Sequence, residues 1–185
     1  TLEDLYLKPL ATRCETHGGR VYGAGQELLL LIDLKSAAEP TYQALTDALT
    51  PYSELLTRYE DGKIVQSAIR VIVSGNRPIE LIARQNKRLA FLDGRLNDLA
   101  DNSPVELVPL VSDQWSKHFK WQGRGEMPSD EKQKLGEIVS QAHLQQRKIR
   151  FWGVPDNEST WQQLLLADVD LINTDDLAGL AKFLR

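Results

Sequence analysis

Six short apolar stretches in this sequence end in side chains that can do chemistry. Asp33 and Lys35 close the run Leu28-Leu29-Leu30-Leu31-Ile32, and Ser74, Asn76 and Arg77 follow the stretch from Ala68 to Val73. Asp93 and Arg95 end the third, and Ser112, Asp113 and Trp115 the fourth. Trp152 with Asp156 and Asn157 ends the fifth, and Asn173 with Asp175 and Asp176 the sixth. Carboxylates interleaved with Lys and Arg suit a divalent cation and the phosphate oxygens beside it. Asp, Asn and Ser at such places also cap helices and form turns. A run of six, with bases between, is harder to assign to caps alone.

Asp33 and Lys35 form the best pair. They flank Leu34 in a strand, so both side chains point to one face. Asp33 is the candidate metal ligand and Lys35 the candidate catalytic cation. The alternative is a surface ion pair, which contributes little. Asn76, Arg77, Asp93, Arg95, Asp113, Trp115, Trp152, Asn173 and Asp175 are candidate substrate-binding residues. Trp115, Trp121 and Trp152 could stack on a sugar, inositol or glycerol-like face; core packing fits Trp121 equally. Thr174 or Asp175 could instead cap the last helix. Of the histidines, His17 sits at a helix end, His143 on an outward helix face, and His118 in the long loop, from which it could enter the site. There is no H-x-x-x-H pair and no serine nucleophile elbow, so no complete acid–base set is visible.

The elements that must position these residues alternate. A helix from Thr1 ends at His17-Gly18-Gly19, and residues 27–35 then form a strand. Its apolar run is continuous, as in a parallel strand covered on both faces. A helix over about 40–57 follows. Strands are expected at 68–74, 89–93, 105–112 (with Pro109 inside), 148–154 and 169–173. Helices or helical turns are expected at 78–84, after 93, at 129–145 with Ser129 as N-cap, at 158–166 and at 177–184. A loop of about 15 residues precedes the helix at 129. Strand–helix alternation implies parallel strands with right-handed crossovers. No glycine-rich phosphate loop is present, so the nucleotide-binding open sheet loses weight. A closed barrel needs eight strands and about 250 residues. The fold class is therefore α/β, a TIM-type (β/α) barrel with about six of eight strands, over residues 1–185 as one domain portion.

Composition bounds the partners. With 22 basic and 26 acidic residues the net charge is −4, which argues against a general nucleic-acid or anionic-membrane binder. The longest strongly apolar run is far shorter than the ~20 residues of a membrane span. Cys14 is the single cysteine, so internal disulfides and cysteine metal clusters are excluded. The compartment stays open.

The strings Thr-Leu-Glu-Asp-Leu-Tyr-Leu-Lys-Pro-Leu (1–10), Leu-Leu-Ile-Asp-Leu-Lys-Ser (30–36) and Ser-Gly-Asn-Arg-Pro (74–78) are distinctive. So are Asp-Gly-Arg-Leu-Asn-Asp-Leu (93–99), Val-Pro-Leu-Val-Ser-Asp-Gln-Trp (108–115), Arg-Phe-Trp-Gly-Val-Pro-Asp-Asn (150–157) and Asp-Leu-Ile-Asn-Thr-Asp-Asp-Leu (170–177). Together, across nearly the whole chain, they resemble the phosphatidylinositol-specific phospholipase C / glycerophosphodiester phosphodiesterase superfamily. The nearest branch is the one that opens with His-Ala-His-Asn-Asp-Tyr. The resemblance implies a TIM-type barrel that cleaves phosphodiesters with a divalent cation, Ca or Mg, and two histidines. It gives Asp33 the role of the third strand's acidic metal ligand, where relatives often carry Glu, and Lys35 that of the base beside it. The family's catalytic histidines and Glu-x-Asp metal pair belong to the first two strands, which find no match here.

The sequence is thus expected to be the C-terminal part of such a barrel and inactive by itself. Its substrate would be a small phosphodiester. Two unpaired sheet edges would favour a dimer, or association with the missing N-terminal segment. Two competing readings are a non-catalytic ligand-binding barrel and a glycoside hydrolase using Asp33, Asp93 and Asp113.

Overall fold

The computed structural model describes residues 1–23, 25–101 and 103–185. Contacts divide the chain into two compact units, Thr1–Asp93 and Gly94–Arg185.

The first unit opens with a helical segment, Glu3–Leu7 as a π turn running into α1 (Lys8–Thr16). It stops where expected. Gly18 and Gly19 take left-handed φ values of 64° and 82°, and the Gly19 amide returns to the Cys14 carbonyl at 2.8 Å. Then come β1 (Leu28–Leu34), α2 (Ala38–Leu49) and a 3₁₀ turn at Thr50–Leu55. β2 (Arg58–Glu60), β3 (Lys63–Val65), β4 (Ile69–Gly75), α3 (Ile79–Ala83), β5 (Lys87–Arg88) and β6 (Ala90–Gly94) follow. β1 runs parallel to β4 from Leu28↔Ile69 to Leu34↔Gly75. β4 runs parallel to β6 from Val71↔Ala90 to Val73↔Leu92. Val71, Ile72 and Val73 are fully buried, as a continuous apolar strand requires. Leu28 to Ile32 of β1 are only half-buried, against expectation. β4 flanks β1 on one edge, and among the described residues no strand flanks the other, so the leucines lack lateral neighbours there.

A second, antiparallel sheet of order β3-β2-β5 was not anticipated. Its hairpin turns through Asp61 (φ 47°) and Gly62 (φ 86°), the left-handed pair that an Asp-Gly turn supplies.

In the second unit a 3₁₀ turn at Leu96–Leu99 precedes β7 (Leu110–Gln114) and the one-turn helix α4 (Trp115–His118). α5 (Ser129–Leu144), β8 (Lys148–Trp152), α6 (Glu158–Leu166), β9 (Leu171–Ile172) and α7 (Leu177–Phe183) complete it. β7 and β8 are parallel, with Ser112↔Arg150 and Gln114↔Trp152. β8 and β9 are parallel, with Arg150↔Leu171. The expected strand at 105–112 is displaced. Leu107 and Val108 both donate to the Pro104 carbonyl in a turn. Pro109 has no amide to enter a ladder, so pairing starts after it. Ser129 is the first helical residue of α5 rather than its cap, which is Pro128. α6 begins where read, with Asn157 Oδ1 accepting from the Thr160 amide at 3.0 Å.

The fold class is the expected one: mixed α/β, parallel strands each followed by a helix or helical turn, in the pattern of an incomplete TIM-type barrel. No helix is long and apolar enough to cross a membrane among the described residues.

Candidate functional site

Parallel pairing decides which side chains meet, because residues opposite each other in register share a face. In the first unit Asp33 lies opposite Ser74, and Ser74 Oγ donates to Asp93 Oδ2 at 2.6 Å. Asp33, Ser74 and Asp93 therefore form a row on one face at the C-terminal ends of β1, β4 and β6. Asp93 is fully buried. Asp33 is half-exposed and its Oδ2 lies 2.6 Å from Lys35 Nζ, which is 81% exposed. The two thus form an exposed ion pair, the arrangement given above as the alternative to a metal ligand beside a catalytic cation. Asn76 Nδ2 donates to the Ser36 carbonyl at 3.0 Å, and Arg77 Nη1 donates to the Asp93 carbonyl. Both tie the loop after β4 to its neighbours. Beneath the row, Arg70 Nε pairs with Glu27 at 3.0 Å, and the Arg70 guanidinium carbon lies 5.2 Å from the Phe91 ring centroid.

In the second unit two expected residues, Trp152 and Asn173, share a face and four do not. Gln114, Trp152 and Asn173 stand at one level, with Ser112 and Arg150 a layer below. Arg150 Nη2 donates to Asn173 Oδ1. Asp113 turns to the opposite face. It accepts from the Gln114 amide at 2.8 Å, from Lys117 Nζ at 3.3 Å and pairs with His118 Nε2 at 3.2 Å. Burial pushes its carboxyl up, but the Gln114 amide, His118 and Lys117 outweigh that and hold it below the ordinary value. Asp113 is thus a helix-end anchor, and His118 is held on it.

Trp115 corrects the expectation of a stacking residue. It is fully buried, its ring 4.1 Å from that of Phe119 and 5.7 Å from that of Phe151. Its Nε1 donates to the Trp121 carbonyl at 3.0 Å. No ring face is left for a ligand. Trp121 is also core. Arg95 spends Nη1 on the Gly94 carbonyl at 2.8 Å, and its amide donates to Asp98 Oδ2 at 2.6 Å, so it anchors the 96–99 turn. Asp175 is exposed, but Asp176 rather than Asp175 caps α7, accepting from the Gly179 amide at 2.8 Å. With Asp93 buried under Ser74 and Asp113 facing away, the acid pair of a glycoside hydrolase is not assembled within either unit.

Asp156 explains the order of the last loop. It accepts from Thr174 Oγ1 at 2.5 Å and from the Asp175 and Asp176 amides at 2.7 and 3.0 Å. Trp161 Nε1 adds a fourth bond at 3.2 Å. Burial raises this carboxyl, but those donors outweigh it and lower it below the ordinary value of 3.8. A depressed carboxyl stabilises the fold above its unfolded pKa, and the contribution disappears as pH falls through the folded one. We therefore expect α7 and the 174–176 turn to lose hydrogen-exchange protection first on acidification below the ordinary carboxylate range. Asp156→Ala should show that loss already at neutral pH; equal protection in the variant would refute this role.

Among the described residues, no group of three or more His, Cys, Asp or Glu side chains is placed to hold a metal ion. Asp33 offers one carboxylate and Asp93 is committed to Ser74, so these donors by themselves do not fit a divalent cation. A cavity of about 330 Å³ lies in the first unit between α2 and the antiparallel sheet, walled by Tyr42, Arg58, Tyr59, Lys87 and Arg88. It contains none of the expected site residues.

Comparison with known proteins points to a family. Residues 8–93 match the AIM6-like phosphodiesterase domain, and residues 148–178 match the glycerophosphoryl diester phosphodiesterase family. Both matches fit the PLC-like phosphodiesterase superfamily. Similar proteins include "Altered inheritance of mitochondria protein 6" of Eremothecium gossypii, 30% identical over 97% of this chain and 55% of the relative. The protein of that name from Saccharomyces cerevisiae S288c is 30% identical over 96% of this chain and 56% of its own length. The Arthroderma benhamiae homolog is 25% identical over 96% of this chain and 64% of its own length. The chain thus spans little more than half the length of most of these relatives. No solved structure matches it. Asp33 lies at the C-terminal end of β1, and Lys35 directly follows the strand. Gln114 and Arg150, which share the face of Trp152, were not anticipated there.

Proposed function

We propose that the protein hydrolyses phosphoric diesters of the glycerophosphodiester or phosphoinositide type. The observation that supports this most is the Asp33–Lys35 pair at the C-terminal mouth of β1 in a chain whose residues 8–93 match a phosphodiesterase domain. Lys35 carries three N–H donors and a full charge, and Asp33 holds it at the mouth. An ammonium there stabilises the negative charge that grows on the phosphoryl oxygens as the diester is attacked. In this reading a divalent cation, Ca or Mg, would polarise the same oxygens when bound. Asp33 would be one ligand, and the donors described here do not complete the set. No step of the proposal is routed through the cation.

Lys35→Met in the full natural protein tests the cationic role. Turnover of bis(p-nitrophenyl) phosphate should fall about 100-fold in kcat, as for loss of one transition-state donor. Lys35→Arg should recover part of it. Unchanged kcat in Lys35→Met would remove Lys35 from the mechanism.

A second reading, a ligand-binding barrel without catalysis, draws on the histidines. His17 bonds the Arg13 carbonyl at a helix end, His118 pairs with Asp113 and His143 with Asp170 at 2.9 Å. None of the three stands in either strand-end row. Saturable binding of a glycerophosphodiester without turnover by the full natural protein would favour this reading.

A further inference from the structure

We infer that the cavity between α2 and the antiparallel sheet is a second ligand site, which takes a neutral polyhydroxylated ring such as a monosaccharide or cyclitol. The inference goes beyond the proposed function and does not rest on it, because the cavity lies away from the strand-end row.

Chain connections place the cavity. β3 leads directly into β4, and Leu89 joins β5 to β6. The Thr57 amide donates to the Ile69 carbonyl at 2.7 Å, which ties the start of the hairpin to the first residue of β4. The antiparallel sheet therefore sits where β4 and β6 begin. Asp33, Ser74 and Asp93 stand at the opposite ends of β1, β4 and β6. The seven residues of β4 separate the two places, about 20 Å at the ordinary rise per residue. In a barrel of this kind chemistry belongs to the strand C-terminal ends, so the cavity is no part of the proposed active site. Its volume, about 330 Å³, suits a small organic molecule.

The wall groups define the ligand by which of them are already committed. Arg58 and Lys87 both pair with Glu60, at 3.3 and 2.7 Å. The Arg88 guanidinium carbon lies 3.9 Å from the Tyr59 ring centroid, and its Nη1 donates to the Gln85 carbonyl at 3.4 Å. An anion would have to compete with Glu60 and would meet the Glu54 carboxylate on the same wall, so phosphate is disfavoured. Neutral donors and acceptors remain. The buried Tyr42 donates its phenol hydrogen to Gln85 Oε1 at 2.8 Å. That bond fixes the amide and leaves both N–H donors of Gln85 Nε2 for a ligand. Thr50 donates its hydroxyl hydrogen to the Thr46 carbonyl at 2.8 Å, so its oxygen is left as an acceptor. Ser53 lines the same cavity, and its hydroxyl can both donate and accept. Donors and acceptors lining one cavity match vicinal hydroxyls, each of which does both. The half-buried Tyr59 and Leu89 also line it and give the C–H face of a saturated ring an apolar surface to lie on.

The test titrates the full natural protein with methyl α-D-glucopyranoside, myo-inositol and inorganic phosphate, read by saturation-transfer NMR and calorimetry. At least one of the two polyols should bind saturably, with a Kd of about millimolar, and inorganic phosphate should not displace it. The double variant Thr50→Val/Ser53→Ala keeps the shape of the wall and removes both hydroxyls. It should weaken polyol binding about tenfold, as for two lost neutral hydrogen bonds. Thr50 is exposed and Ser53 half-buried, so the double variant should melt as wild type does. Ser53→Trp fills the cavity and should abolish binding; if it fails to fold, the double variant carries the test alone. Asp33→Ala should bind the polyol as wild type does. No saturable binding of either polyol, displacement by phosphate, or unchanged affinity in the double variant overturns the assignment. Polyol binding lost in Asp33→Ala would place the ligand at the strand-end row and overturn it equally. Absent turnover with polyol binding intact would defeat the hydrolase reading and leave this site standing.

Discussion

Gly75→Ala should cost about 3 kcal/mol of stability and displace the Asp33 carboxylate. Gly75 ends β4 with φ at +72°, a left-handed value that alanine adopts only under strain. There is also no room. A Cβ would collide with Asp33 Oδ1 and the Leu34 carbonyl oxygen, and would lie 3.1 Å from the Leu34 amide nitrogen. Backbone cannot swing aside as a flexible side chain can. The carboxylate is therefore seated on the bare face of Gly75, and its pairing with Lys35 depends on that seat. Gly62 provides the control. It too has a positive φ, 86°, but nothing lies within 4 Å of its Cβ position. Gly62→Ala should cost only about 1 kcal/mol. Equal denaturant midpoints for the two variants would contradict the crowding argument.

Trp115→Ala should unfold or nearly unfold the second unit, at about 3–5 kcal/mol. The ring is wholly buried, packs on Phe119 and Phe151, and bonds the Trp121 carbonyl. Its loss leaves a cavity, breaks the aromatic cluster and strands a buried carbonyl. Trp115→Phe keeps most of the volume and should cost less than half as much. Near-UV circular dichroism and urea melts read both. A cost below about 1 kcal/mol for Trp115→Ala would mean that the ring does not organise this core.

The long elements were legible because their signals are redundant. β1 and β4 are apolar runs, α6 has an asparagine cap, and α1 ends in two glycines. The antiparallel sheet was hidden for the opposite reason. Arg58-Tyr59-Glu60 and Lys63-Ile64-Val65 are too short to show alternation, although the Asp61-Gly62 turn between them was a usable sign. The site was half legible. Asp33 and Lys35 could be paired from spacing alone, since β1 was placed within a residue at each end. Asp113 and Trp115 could not. Which residue of Ser112-Asp113-Gln114 faces the row depends on register, and one residue of slip exchanges the faces. A tryptophan at a strand end reads the same whether it stacks on a ligand or on Phe119. Arg150 was passed over because a cation inside a strand looks like a solvent-facing residue until its neighbour is known. The depth of Asp93 and the turn of Asn173 toward Arg150 are tertiary facts with no local sign.

The proposed function places Asp33, at the mouth of β1, in a phosphodiesterase site. It is tested most directly by hydrolysis of an aryl phosphodiester with the full natural protein and its Asp33→Ala variant, each in calcium, in magnesium and in excess chelator. Wild-type turnover should need a divalent cation and should drop by about two orders of magnitude or more in Asp33→Ala. Wild-type and Asp33→Ala proteins with the same turnover, or turnover undiminished by chelator, would contradict it.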